Sequence, residues 1–85
     1  RFTVTPNPNK GEFTVYGLQF PVQIIVYNSL GQVVHDATVA SNHETVSMNL
    51  ESGIYFLHVK SNNLVQTKKI IIQWNIYNLK KHFAF

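Results

Sequence analysis

Cysteine is absent from the 85 residues, so the chain can build no disulfide, no thiolate metal site and no cysteine nucleophile, and either redox compartment is compatible with it. Charge is scarce as well: 13% of residues are Asp, Glu, Lys or Arg, about half the usual share of a soluble domain. No apolar run approaches the ~18 residues needed to cross a bilayer. The sequence as given starts at Arg1 and shows neither an initiator Met nor a signal peptide, and the expectation is a tail of a longer protein whose export signal lies elsewhere. Lys and Arg number seven against four Asp and Glu, for a formal +3, and the single Arg is terminal. Such a thin cationic complement does not make a phosphate-tracking surface, which argues against a nucleic-acid partner. The length allows one small domain and excludes a large multi-step enzyme.

What is present is β-forming. Ten Val, seven Ile and six Thr stand against three Ala and three Glu, a balance that suits pleated, half-buried strands. Hydrophobic residues make up 45% of the chain, enough to offset chain entropy by burial. Alternation at period two then divides the sequence into short strands separated by turn residues. Phe2–Thr5 is stopped by Pro6-Asn7-Pro8-Asn9, whose prolines cannot donate to a ladder. In 12–16, Phe13 and Val15 point inward. In 22–27, Val22, Ile24 and Val26 share the inward face, while Gln23, Ile25 and Tyr27 share the other. Asn28-Ser29-Leu30-Gly31 supplies a hairpin turn. The return strand through Val33 and Val34 to Val39 has no decidable register, because two valines are adjacent. Thr45–Leu50 places Val46, Met48 and Leu50 inward. In Ile54–Lys60 the core face is Tyr55, Leu57 and Val59, and a last strand covers about Leu64–Gln73. About seven short antiparallel strands at this spacing predict an all-β, immunoglobulin-like β-sandwich. Within it, Leu50-x-x-Gly53-x-Tyr55 reads as a corner in which the Tyr hydroxyl bonds back to the preceding loop.

The residues carry little chemistry. His35, His43, His58 and His82 lack the close pairing of a metal site, and Glu12, Asp36, Glu44 and Glu51 fall on separate turns and strand ends with no pair set across a cleft. No Ser stands in a G-x-S-x-G elbow, and the four glycines make no phosphate-cradling loop. The reading is therefore no enzyme, no metal and no cofactor. Ile70-Ile71-Ile72 puts apolar groups on both faces of the final strand. That fits a covered strand or a core with one exposed Ile; it also fits a sheet edge kept open for a partner that adds its own strand.

Four blocks, in order, carry a resemblance: Pro6-Asn7-Pro8-Asn9-Lys10-Gly11-Glu12-Phe13-Thr14-Val15; Val26-Tyr27-Asn28-Ser29-Leu30-Gly31-Gln32; Leu50-x-x-Gly53-Ile54-Tyr55-Phe56-Leu57-x-Val59; and Lys68-Lys69-Ile70-Ile71-Ile72. From about Val4 to Gln73 the chain resembles the C-terminal sorting domain of type IX secretion cargo in Bacteroidota. The resemblance implies an immunoglobulin-like sandwich at the end of an exported protein, behind an upstream passenger. The parent's signal peptide carries it to the periplasm, and the outer-membrane translocon recognises the domain there. A sortase-like peptidase at the cell surface then cuts before the domain and joins the passenger to lipopolysaccharide, or the passenger is released; the destination is the cell surface or the medium. Carried over by position, the motif residues are Pro6, Asn7, Pro8, Gly11, Phe13, Leu30, Gly31, Gly53, Tyr55, Lys69, Ile70, Ile71 and Ile72, with the last strand expected to make contact and the glycines to set shape.

On this reading residues 1–73 are the sorting domain, and 74–85 are an aromatic, basic extension without a family counterpart, either a frayed tail or an added short element. A rival reading keeps the sandwich but makes it a carbohydrate-binding or fibronectin-like module of a secreted hydrolase, with Tyr16, Tyr27 and Phe56 as the sugar platform.

Overall fold

The computed structural model describes residues 2–19, 21–62 and 64–73. The extension at 74–85, with His82, lies outside the described residues. Seven strands occur in chain order: β1 (Thr3–Thr5), β2 (Glu12–Tyr16), β3 (Val22–Tyr27), β4 (Val33–Val39), β5 (His43–Ser47), β6 (Gly53–Ser61) and β7 (Leu64–Ile72). They form two antiparallel sheets, one ordered β1-β2-β5 and the other β4-β3-β6-β7. This is the immunoglobulin-like sandwich that the alternation predicts, and no described residue is helical.

Alternation dictates the core. Phe13, Val15, Ile24, Val26, Val46, Leu57, Ile70 and Ile72 are essentially inaccessible, and Val4, Leu18, Val22, Val39, Tyr55 and Val59 complete the cluster between the sheets. Burying a side chain of this kind is worth about 1.5–3 kcal/mol, and with no disulfide to help, the packing of these residues carries the fold.

Four details correct the sequence reading or settle what it left open. The strand expected over Thr45–Leu50 begins at His43 and ends at Ser47: Met48 still donates its N–H in register to the Gly11 carbonyl at 2.7 Å, but the Gly11 N–H turns to Asn9 Oδ1 and does not return the bond; Met48 and Leu50 pack half-buried against the core. The undecided register of β4 is settled by a bulge, with Val26 facing His35 and Tyr27 facing Val33. Val34 is the extra residue and packs on the core, while Val33 is exposed. Ile25 has outward parity yet is buried, since it lies in the central strand between Asp36 of β4 and His58 of β6. Last, Ile70 and Ile72 enter the core and Ile71 alone faces outward, half-buried.

The alternating directions of the seven strands matter for the site. β1, β3, β5 and β7 end, and β2, β4 and β6 begin, at one end of the sandwich, as the antiparallel registers within each sheet, and the bonds between the sheets from Asn7 and Asn9 to the end of β7, require. The chain enters at the opposite end, where Thr3 pairs with Tyr16.

Candidate functional site

The end of the sandwich at which β7 terminates gathers four loop or strand segments that lie far apart in sequence. The first is Pro6–Gly11, which leaves β1 and runs beside the outer edge of β7. Asn7 uses its side chain as a surrogate backbone: its Nδ2 donates to the Lys69 carbonyl and its Oδ1 accepts the Ile71 N–H, each at 2.9 Å. Asn9 continues with its own main chain, donating to the Ile71 carbonyl at 2.9 Å and accepting from the Gln73 N–H at 2.8 Å, a parallel bridge to Ile72. Pro6 and Pro8, both preceded by cis peptides, occupy the positions between, so the asparagines make every bond that the prolines cannot. Asn9 is the one buried polar residue of the described chain, and its carboxamide is satisfied by the Pro6 carbonyl and the Gly11 N–H.

Gly11 closes this strap. Its φ of +104° suits glycine alone, and a Cβ there would run into the Met48 carbonyl oxygen. The turn after β3 is organised by Asn28, whose Oδ1 accepts the N–H groups of Leu30 and Gln32 at 2.9 Å, while the Asn28 carbonyl accepts from Gly31 at 3.0 Å. With φ +86° and open space around it, Gly31 lets the turn close and leaves Leu30 at its tip, 83% exposed. In the corner before β6, Tyr55 is buried and its hydroxyl donates to the Glu51 carbonyl at 2.8 Å, the bond expected of the motif. Gly53 does not need a positive φ; its place is under the Tyr55 ring, whose edge would lie 3.8 Å from an added Cβ.

These segments adjoin. The Asn28 turn and the Glu51–Tyr55 corner flank a recess of about 210 Å³, and the register carries a continuous row across the sheet from Tyr27 to Phe56 to Lys69, with Asn7 bonded beyond it. Of the motif residues, Phe13, Tyr55, Ile70 and Ile72 are core; Gly11, Gly31, Gly53, Pro6 and Pro8 shape the loops; Asn7 ties the strap to β7; and Leu30, Lys69 and half-buried Ile71 present side chains outward. Asn9 and Asn28, which the sequence places in a strand stop and a hairpin turn but not among the motif residues, organise the strap and the turn here; the Pro-Asn-Pro-Asn alternation is the signal for the first.

The aromatic row of the rival reading is not assembled. Tyr27 and Phe56 are cross-strand neighbours on the outer face of the four-stranded sheet, where Tyr27 also packs against His58 with ring centroids 4.6 Å apart. Tyr16 lies on the other sheet, stacked on His43 at 6.2 Å. Among the described residues no three His, Asp or Glu side chains come together in a group able to hold a metal, and no helix is long and apolar enough to cross a membrane.

Among the described residues, fold and site together define a small β-sandwich whose distinguishing features are its loops and edges. Residues 3–73 match the family described as "Secretion system C-terminal sorting domain", and the chain belongs to that family, the C-terminal sorting domains of type IX secretion cargo. Domains of this kind form the tails of proteins secreted through the outer membrane to the cell surface or the medium. Beta-agarase A of Zobellia galactanivorans is 35% identical over 71 residues, covering 80% of this chain and 12% of that protein. The chain thus spans about an eighth of that curated relative. A solved structure of PorZ, described as an essential bacterial surface component of the type-IX secretion system of Porphyromonas gingivalis, superposes with a TM-score of 0.74 at 16% identity, over 82% of this chain and 11% of that one. At that identity the likeness shows the fold.

Proposed function

We propose that this domain acts without catalysis of its own, as an address read by the type IX outer-membrane translocon, and that the surface read is the end of the sandwich carrying the strap, the Asn28 turn, the Glu51–Tyr55 corner and the close of β7. The observation that supports this most is convergence: segments up to 64 residues apart are tied together there by hydrogen bonds, at the end remote from where the chain enters. A passenger on the amino-terminal side would leave that end free to meet the outer membrane. A sortase-like peptidase acting ahead of Thr3 would separate passenger from label without disturbing the sandwich. Residues 1–73 are the sorting unit in this reading, and 74–85 are an appendage to it.

The test is a periplasmic reporter carrying residues 1–85, expressed in a type IX secreting bacterium with and without 74–85. Surface or extracellular reporter is expected from both forms; retention of both in the periplasm refutes the assignment.

A further inference from the structure

We infer that the amino-terminal half of the β7 edge, Leu64–Lys68, is a docking site for one extended, acidic segment of a partner protein, which adds to the four-stranded sheet as a fifth strand. The inference rests on the sorting role proposed above and extends the surface read from the strap along the β7 edge toward the entry end.

β7 is paired with β6 along its whole length on one side. On the other side its two halves differ. Because the Ile71 N–H and C=O both point to the strap, alternation along the strand directs the N–H and C=O of Val65 and Thr67 to that same outer side. Among the described residues none bonds them. The strap stops at the Lys69 carbonyl and so marks where an incoming strand must end.

The open half is flanked on both faces. Toward the interior, β7 borders a recess of about 100 Å³ lined by Phe2, Leu18, Val22, Val59, Leu64 and Gln66. On the outer face, Thr67 rims a broad groove of about 490 Å³ floored by Tyr27, Phe56 and His58. An added strand points alternate side chains to these two faces, which is how strand addition gains specificity beyond its main-chain bonds. Leu64 and Val65 are each more than half exposed at this edge, an unusual composition for an edge left in water.

Charge selects the occupant. From Ser52 to Gln73 the chain carries Lys60, Lys68 and Lys69 and no Asp or Glu, and all three lysines are exposed. A second copy of this chain pairing edge to edge would bring the lysine pairs together and be repelled, whereas a segment bearing carboxylates gains from them.

The experiment is amide exchange on the full 85-residue chain, alone and with detergent-solubilised translocon, alongside the variant Thr67→Pro. Proline at Thr67 removes an outward N–H and no bond to β6, and the melting temperature reports that the fold survives. The expected result is fast exchange at Val65 and Thr67 in the free chain, protection of both with translocon, binding about tenfold weaker in Thr67→Pro, and loss of reporter export. Protection already present in the free chain overturns the inference in favour of a covering segment of its own, and protection that grows with its concentration alone overturns it in favour of a second copy. A folded Thr67→Pro that binds and exports normally also overturns it, leaving the sorting role intact. The sorting role itself fails only if the unsubstituted chain neither binds nor exports.

Discussion

The two ends of the sandwich are built differently. At the end where β7 stops, the strap, turn and corner are held by asparagine carboxamides, a tyrosine hydroxyl and two positive-φ glycines, with bonds spanning up to 64 residues. At the end where the chain enters, Gly17 and Asn62 also take positive φ, but the bonds are local to neighbouring turns: Leu18 N–H to the Asn42 carbonyl at 2.9 Å, the Ser41 hydroxyl to the His43 carbonyl at 2.7 Å and His43 Nδ1 to Asn42 Oδ1 at 3.1 Å. Both ends close the same sheets, so closure alone does not require the difference. The costlier end is the one whose shape is specified residue by residue, as expected of a surface that another molecule must recognise.

Substitutions at the two ends sharpen that contrast, starting with the largest effect. Tyr55→Ala removes a buried ring and the bond to Glu51, and should destabilise the domain by about 3–5 kcal/mol; Tyr55→Phe, which loses only the hydroxyl, should cost ~0.5–1.5 kcal/mol. Chemical denaturation of both variants checks the ratio, and equal losses would mean that the ring is not the anchor. Next comes Gly11→Ala, which forces a side chain into positive φ and against the Met48 carbonyl. About 1–3 kcal/mol of destabilisation is expected from the backbone term, read as a lowered melting temperature. The smallest comparison is the most direct. Asn7→Ala, which deletes two bonds to β7, should cost ~1 kcal/mol and speed amide exchange at Ile71. Ser41→Ala at the opposite end should stay within about 0.5 kcal/mol, with exchange at Ile71 unchanged.

Much of the fold was legible because its strands alternate cleanly. Phe13 with Val15, and Tyr55 with Leu57 and Val59, declare their inward face by period alone, and Pro6, Gly17 and Gly31 punctuate where the chain turns. Legibility failed where a local pattern is overruled by a distant partner. Nothing near Val33-Val34 reveals the bulge opposite Tyr27, and nothing near Met48 reveals that its partner Gly11 turns its N–H to Asn9 and ends the ladder at Ser47. The site was half legible for the same reason. Glycine, proline and tyrosine advertise their local geometry, whereas the role of Asn7 depends on Lys69 and Ile71, more than sixty residues away. Tyr16, Tyr27 and Phe56 share outward parity in the sequence, but parity does not say which sheet a strand joins, and the row dissolves once Tyr16 is placed on the other sheet.

The central claim is that the strap end of the sandwich, with the β7 edge that runs from it, is read, and that the loop joining β4 to β5 at the entry end is not. The direct measurement is export of a reporter bearing the full chain with exposed residues changed at one end or the other: Leu30→Asp with Lys69→Glu at the strap end, against Thr38→Asp with Ala40→Asp at the entry end, on the far edge of the sheet from β7. All four side chains are exposed, so both variants should fold with melting temperatures near that of the parent. The account predicts that the first pair leaves the reporter in the periplasm while the second pair exports it normally. Equal export of the two folded variants, or loss confined to the entry-end pair, would contradict it.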